Sequence, residues 1–150
     1  MSGPGDAEAA ITKLVYRYAE LIDGGDFAGI GQLFAGATID TGDGRLFEGR
    51  EAIQRMYEQN TRRYPDNGTP HTRHVTTNLI IDVDDDGQRA TCRSYVVVLQ
   101  QVGDFPLQPV WTNRYEDRFQ REDGTWHFAH RRMTDHLPGT VSHHLLQAHD

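Results

Sequence analysis

HTRHVTTNLIIDV, DDDG and QRATCRSYVVVLQQV run consecutively over residues 71–102, and their reading decides the fold. Two segments rich in Val, Ile, Thr and Tyr flank an Asp/Gly turn, the pattern of two antiparallel strands. The pattern then repeats. GDFP leads into LQPVWTNRYEDRFQ, and REDG turns that segment back into TWHFAHRRMTD, ending at Asp135. The second half of the chain therefore reads as a four-stranded antiparallel meander. Strands of about 10–14 residues belong to a sheet that twists and curls.

The first half reads differently. Residues 1–5 are Gly/Pro/Ser-rich, and Asp6 precedes a helix over Ala7–Asp23 as its expected N-cap. Ile11, Leu14, Val15, Tyr18 and Ile22 give that helix one apolar face, with Asp23 on its flank. Asp26 caps a second, short helix carrying Phe27, Ile30, Leu33 and Phe34. TIDTGDGRLFEG forms two short strands around a Gly-rich turn. A third helix is expected over Arg50–Arg62, with Ile53, Met56 and Tyr57 on one side, followed by the loop YPDNGTP. Helices first and strands later make an α+β pattern. A curled sheet closed by helices leaves a hollow. The tail LPGTVSHHLLQAHD is expected to pack on a neighbouring subunit.

The bulk properties exclude several classes. A chain of 150 residues, 37% hydrophobic and 25% charged, suits one domain (core about 7–135, tail 136–150) with a buried core. A net charge of -7 argues against nucleic acid as a partner. No apolar run approaches the ~20 residues of a membrane span, and the N-terminus lacks a signal pattern. The single cysteine, Cys92, excludes an intrachain disulfide and fits a reducing cytoplasm.

Among chemically capable residues, Asp23 stands out. The last turn of a helix disfavours an anion by roughly 0.3–1 kcal/mol, so a carboxylate there implies a cationic partner or a solvated end. Alternation places His74, Thr76, Asn78 and Ile80 on one strand face, and Arg73, Val75, Thr77, Leu79, Ile81 and Val83 on the other. The second set is the more apolar, which sends His74 to solvent unless both faces of the sheet are covered. Tyr18 suits either a core aromatic or a pocket phenol. Arg131 and Arg132 are adjacent in a strand, so one points inward.

The histidine spacings do not form a chelate. His71/His74 and His127/His130 are three apart on strands, His143 and His144 are neighbours, and HExxH and CxxC are absent, so no metal is expected. GxGxxG, GxxxxGK[ST] and GxSxG are absent as well. Ser94 and Cys92 read as packing residues.

Four segments in order, YAELIDGGDFAGIGQLFAGATID, FEGREAIQRMY, HVTTNLIIDV and NRYEDRFQREDGTWHFAHRRM, resemble the SnoaL-like group of the nuclear transport factor 2 superfamily over residues 7–135. The resemblance implies a cone-shaped α+β barrel, in which a curved antiparallel sheet wraps N-terminal helices around an apolar cavity. The chain is most similar to the branch containing scytalone dehydratase, hexachlorocyclohexane dehydrochlorinase and bile acid 7α-dehydratase. Those enzymes use an Asp–His dyad as a base without a cofactor. Asp23 and His74 stand at the dyad positions, Tyr18 at that of an assisting tyrosine, and Arg131 at that of a pocket-lining arginine. A second histidine of scytalone dehydratase falls near Leu99, which argues against scytalone as substrate.

The expected function is therefore a cofactor-independent lyase or isomerase of dehydratase type. It would act on an apolar ring-containing molecule of polyketide, steroid or aromatic type, with Asn78 and Trp111 lining the substrate site. Two alternatives share the fold. One is a non-catalytic ligand-binding or dioxygenase-β-like accessory subunit. The other is an epoxide hydrolase built on an Asp–Arg–Asp set, for which Arg93 and Asp117 are available. The resemblance also implies a homo-oligomer, dimer or trimer, formed through the outer sheet face.

Overall fold

A computed structural model describes residues 4–146. Helix α1 spans Pro4–Asp23, α2 Phe27–Leu33 and α3 Arg50–Asn60; the strands are β1 Thr38–Asp40, β2 Leu46–Glu48, β3 Thr72–Val83, β4 Arg89–Val102, β5 Phe105–Glu122 and β6 Thr125–Pro138. All six strands join one curved, unclosed sheet in the order β2-β1-β6-β5-β4-β3. The architecture is the expected α+β fold with its helices at the N-terminal side. The small hairpin is not separate from the meander, because β1 pairs with β6 in parallel.

Helix α1 begins earlier than expected. Asp6 lies inside its first turn rather than at the cap, and Pro4 is its first residue, a position where proline's missing N–H costs nothing. Ile11, Val15, Tyr18 and Ile22 are buried as the periodicity requires. The helix ends in a Schellman motif: Asp26 N–H bonds Leu21 C=O at 2.9 Å and Gly25 N–H bonds Ile22 C=O at 3.0 Å. Gly25 has φ 71°, and a Cβ there would lie 2.2 Å from the Gly68 carbonyl oxygen. This stop fixes Asp23 at the very end of α1.

Asp26 caps α2 as expected, accepting from Gly29 N–H at 2.8 Å. Helix α3 stops at Asn60, two residues before the expected end, because Thr61 turns extended and bridges to Leu145. The tail, as far as Leu146, thus folds back on its own domain.

Among the register shifts of the sheet, one in β3 and one in β6 decide the facing of the candidate site residues. In β3, Thr77 pairs with Tyr95 and Ile80 with Arg93, so β3 carries one extra residue. Asn78 occupies the bulge at φ 59°. Before it, Thr72, His74 and Thr76 face inward; after it, Leu79, Ile81 and Val83 do. Val75, on the apolar set of the uninterrupted alternation, is instead 41% exposed. In β6, Arg118 pairs with His130 and Phe119 with Phe128, leaving Ala129 as the extra residue. That shift turns Arg131 inward and Arg132 outward.

The bulge yields a first prediction. A β-branched residue is strained in the left-handed region by roughly 1–2 kcal/mol. Asn78→Val is therefore expected to lower the free energy of urea unfolding by about that amount, and Asn78→Gly to change it far less. Equal effects from the two would show that the backbone conformation is not what the asparagine supplies.

Candidate active site

The concave face of the sheet, α1, α3, the β1–β2 hairpin and the returning tail enclose a cavity of ≈ 500 Å³. Ile22, Met56, Val98, Met133 and Leu145 supply apolar walls, and Tyr18, Tyr57, His74, Asn113 and His144 supply polar groups. Thr41, Asp43 and Arg45 of the hairpin also border it.

Asp23 and His74 meet on this wall. His74 Nδ1 lies 2.6 Å from Asp23 Oδ1. The His74 backbone N–H donates to Asp23 Oδ2 at 2.8 Å, and the Thr72 hydroxyl donates to Oδ1 at 2.8 Å. Three donors from β3 thus offset the unfavourable field at the end of α1. Burial pushes the Asp23 carboxyl up, but the hydrogen bond and charge of His74, with Thr72 behind them, outweigh it and hold it below the usual carboxylate range. An ionised Asp23 accepts a proton-bearing Nδ1, which leaves the lone pair of the neutral imidazole on Nε2. The His74 side chain is 5% exposed.

Tyr18 borders the cavity five residues before Asp23, one and a half turns back along α1. Its hydroxyl is 2.8 Å from that of Tyr57, and its ring meets His74 edge-on at 6.2 Å. Burial pushes both phenols well above their ordinary values, so both stay protonated and able to donate. Trp111 also borders the cavity and donates Nε1–H to Asn113 at 2.7 Å.

Two expected site residues lie elsewhere. Asn78 is exposed in the β3 bulge, away from the cavity wall, so the substrate-lining role is corrected. Arg131 points inward but stops beneath the floor. It is fully buried, donates from Nε and Nη2 to Asp117 at 2.8 and 2.9 Å, and lies 3.7 Å from the Tyr115 ring centroid and 4.5 Å from that of Tyr18. Burial pulls its pKa down, yet Asp117 outweighs that and keeps the guanidinium charged. It braces the tyrosines instead of reaching the cavity. The epoxide-hydrolase set is not assembled either, since Asp117 is committed to Arg131 and Arg93 is exposed on the opposite face. Cys92 is a core residue whose thiol burial pushes up to about 12. Among the described residues no three His, Cys, Asp or Glu side chains are grouped to hold a metal ion, and no helix is long and apolar enough to cross a membrane.

His144 was missed in the sequence as a site residue. Its only sequence signal is the spacing Val141-x-x-His144-Leu145, which matches one helical turn with a buried side. Val141 C=O does accept from both His144 N–H at 2.9 Å and Leu145 N–H at 2.8 Å. Burial and then the charge of His74 push the His144 imidazole down to about 3. An unfolded histidine titrates near 6.5, so the unfolded chain takes up this proton first. The stability tied to His144 is complete above about pH 6.5 and drains as pH falls toward about 3. The urea midpoint is expected to fall less between pH 7 and 4.5 in His144→Leu than in the parent; parallel declines would contradict a buried neutral imidazole.

The sequence pattern of the SnoaL-like domain matches residues 6–132. The chain belongs to the SnoaL-like family. No curated protein matches it. Among solved structures, Rv3472 of Mycobacterium tuberculosis, a protein of unknown function, is 28% identical with a TM-score of 0.69, over 88% of this chain and 75% of its own. A candidate scytalone dehydratase from Novosphingobium aromaticivorans is 22% identical with a TM-score of 0.66, over 87% of this SnoaL-like chain and 86% of its own. ActVI-ORFA of Streptomyces coelicolor is 20% identical with a TM-score of 0.68, over 85% and 95% respectively. The last two likenesses are those of the fold.

Proposed function

We propose that this SnoaL-like protein is a small-molecule lyase or isomerase in which His74 removes a proton from carbon and Asp23 orients and stabilises the resulting imidazolium. The observation that carries this reading is the 2.6 Å Asp23–His74 contact on the wall of an apolar cavity. It is the orienter–base half of a catalytic triad, without a nucleophile beside it. Tyr18, tied to Tyr57, offers a protonated phenol to a substrate oxygen. The apolar walls favour a ring-containing substrate, and the abstracted proton serves either loss of water or a double-bond shift. Family membership and the likeness to a candidate scytalone dehydratase point the same way.

Proton abstraction can be read without knowing the full reaction. In deuterium oxide, the protein is expected to accelerate deuterium uptake at the acidic carbons of an apolar cyclic ketone, followed by mass spectrometry with 2-tetralone, 1-indanone and a 3-ketosteroid. No acceleration with any of the three would remove the reading and leave a ligand-binding role.

A further inference from the structure

The returning tail brings into the cavity an imidazole that the dyad does not use. His144 is 6% exposed, borders the same cavity as His74, and its ring lies 6.0 Å from the His74 ring at 64°. Its Nδ1 is buried and has no hydrogen-bond partner among the described residues, whereas Nε2 is not among the sealed, unpartnered atoms. Buried polar side chains are rarely left this way, because an unmade hydrogen bond costs roughly 1–3 kcal/mol. The backbone around it is the opposite case. Arg62 N–H donates to His144 C=O at 2.8 Å, Leu146 N–H to Asn60 C=O at 3.0 Å, and Gln100 Nε2 to His143 C=O at 2.9 Å, with the Tyr64 hydroxyl on that same carbonyl. The described residues fix where the ring sits, and none of them binds its Nδ1. Nε2 is the ring nitrogen that is not sealed off, and His144 lines the cavity, so a ligand there can reach it.

We propose that His144 is a second catalytic imidazole, donating a hydrogen bond from Nε2–H to the substrate oxygen that becomes anionic when His74 takes a proton from the adjacent carbon. The proposal rests on the proton-abstraction reading above. It names the substrate class as an apolar cyclic ketone, or a β-hydroxy ketone where water is lost. The two rings are close enough to address neighbouring atoms of one small molecule. In the first step the C–H bond breaks, its proton goes to His74 Nε2, and its electron pair forms C=C while the carbonyl π pair moves to oxygen. His144 keeps its proton throughout and stabilises that oxyanion. In the second step the oxyanion re-forms C=O, and the C=C pair either expels a β-hydroxyl, which leaves as water with the proton held by His74, or, where the ketone carries a β,γ double bond, becomes the α,β double bond while the β,γ pair takes that proton at the γ-carbon. A histidine kept neutral by burial suits the part, since a neutral imidazole polarises a carbonyl without competing as an acid.

4-Nitrophenol is the test ligand: its phenolate oxygen stands in for the enolate, and it has no abstractable carbon proton. Absorbance titrations from pH 6 to 9 give the affinities of the phenolate and the phenol. In the parent the phenolate is expected to bind the more tightly. His144→Leu is expected to lower the phenolate-to-phenol ratio about ten-fold, near 1.4 kcal/mol. His144→Gln, which keeps an N–H donor, should recover much of that loss. Should the leucine variant not fold, the parent alone decides through 1H–15N spectra of its imidazoles, which must show a His144 ring-nitrogen shift on phenolate binding. No binding to the parent, an unchanged ratio in His144→Leu, an equal loss in the glutamine variant, no His144 shift, or a loss confined to His74→Ala would each overturn the proposal. Failure of the proton-abstraction reading shows separately, as absent deuterium uptake by a protein that still prefers the phenolate through His144.

Discussion

His74→Ala is expected to slow deuterium uptake into the responsive ketone by ~10²–10⁴, equivalent to about 2.7–5.4 kcal/mol of transition-state stabilisation. Among the described residues, the variant removes the only group on the cavity wall that combines an imidazole with a carboxylate behind it. It should leave the fold intact, because the residue-74 backbone N–H still donates to Asp23 and Thr72 still donates to the other carboxylate oxygen. Asp23→Asn should fall between parent and His74→Ala. The amide keeps the position but not the charge that stabilises the imidazolium, and its NH₂ can favour the wrong tautomer. The measurement is the initial rate of uptake at equal folded protein, checked by urea unfolding. A folded His74→Ala protein within a few-fold of the parent would assign the proton transfer to another group.

Arg131→Leu carries the largest expected effect on stability, a loss of roughly 3–5 kcal/mol in urea unfolding. The substitution leaves the Asp117 carboxylate buried without its two guanidinium hydrogen bonds. It also removes the cation stacked against Tyr115 and Tyr18. The physical cause is the stranded charge, so the double variant Arg131→Leu with Asp117→Leu should regain much of the loss. A double variant as unstable as the single one would place the cost in packing around the tyrosines. Arg131 still bears on the site in this account, since the rings it braces form the floor on which a substrate would rest.

Several features of the site were legible before any coordinates. The apolar stripe of Ile11, Val15, Tyr18 and Ile22, the glycine stop after Asp23, and the capping by Asp26 are local effects, and the chain follows them closely. The order of helices and long strands gave the fold class. The odd placement of Asp23 flagged a partner, though nothing along the chain identifies a residue 51 positions away. Uninterrupted alternation puts Asn78 on the His74 face, while one extra residue in β3 shifts the facing of the side chains that follow. Arg131 does face inward, but its two hydrogen bonds to Asp117 hold it beneath the cavity floor. Asn78 does carry a signal, being a poor strand former that tolerates positive φ; Ala129 carries none. His144 was hidden because its role depends on the tail meeting Thr61, Asn60 and Gln100.

By itself the sequence determined what short-range chemistry controls: where helices start and stop, where strands turn, and which residues have acidic, basic or phenolic groups to offer. Only the tertiary structure decided which of those groups share the cavity. Bulges are one-residue register choices made between paired strands, and the tail's course is set by burial against α3 and β4. Both depend on contacts between residues far apart in the chain, so periodicity within a segment does not record them.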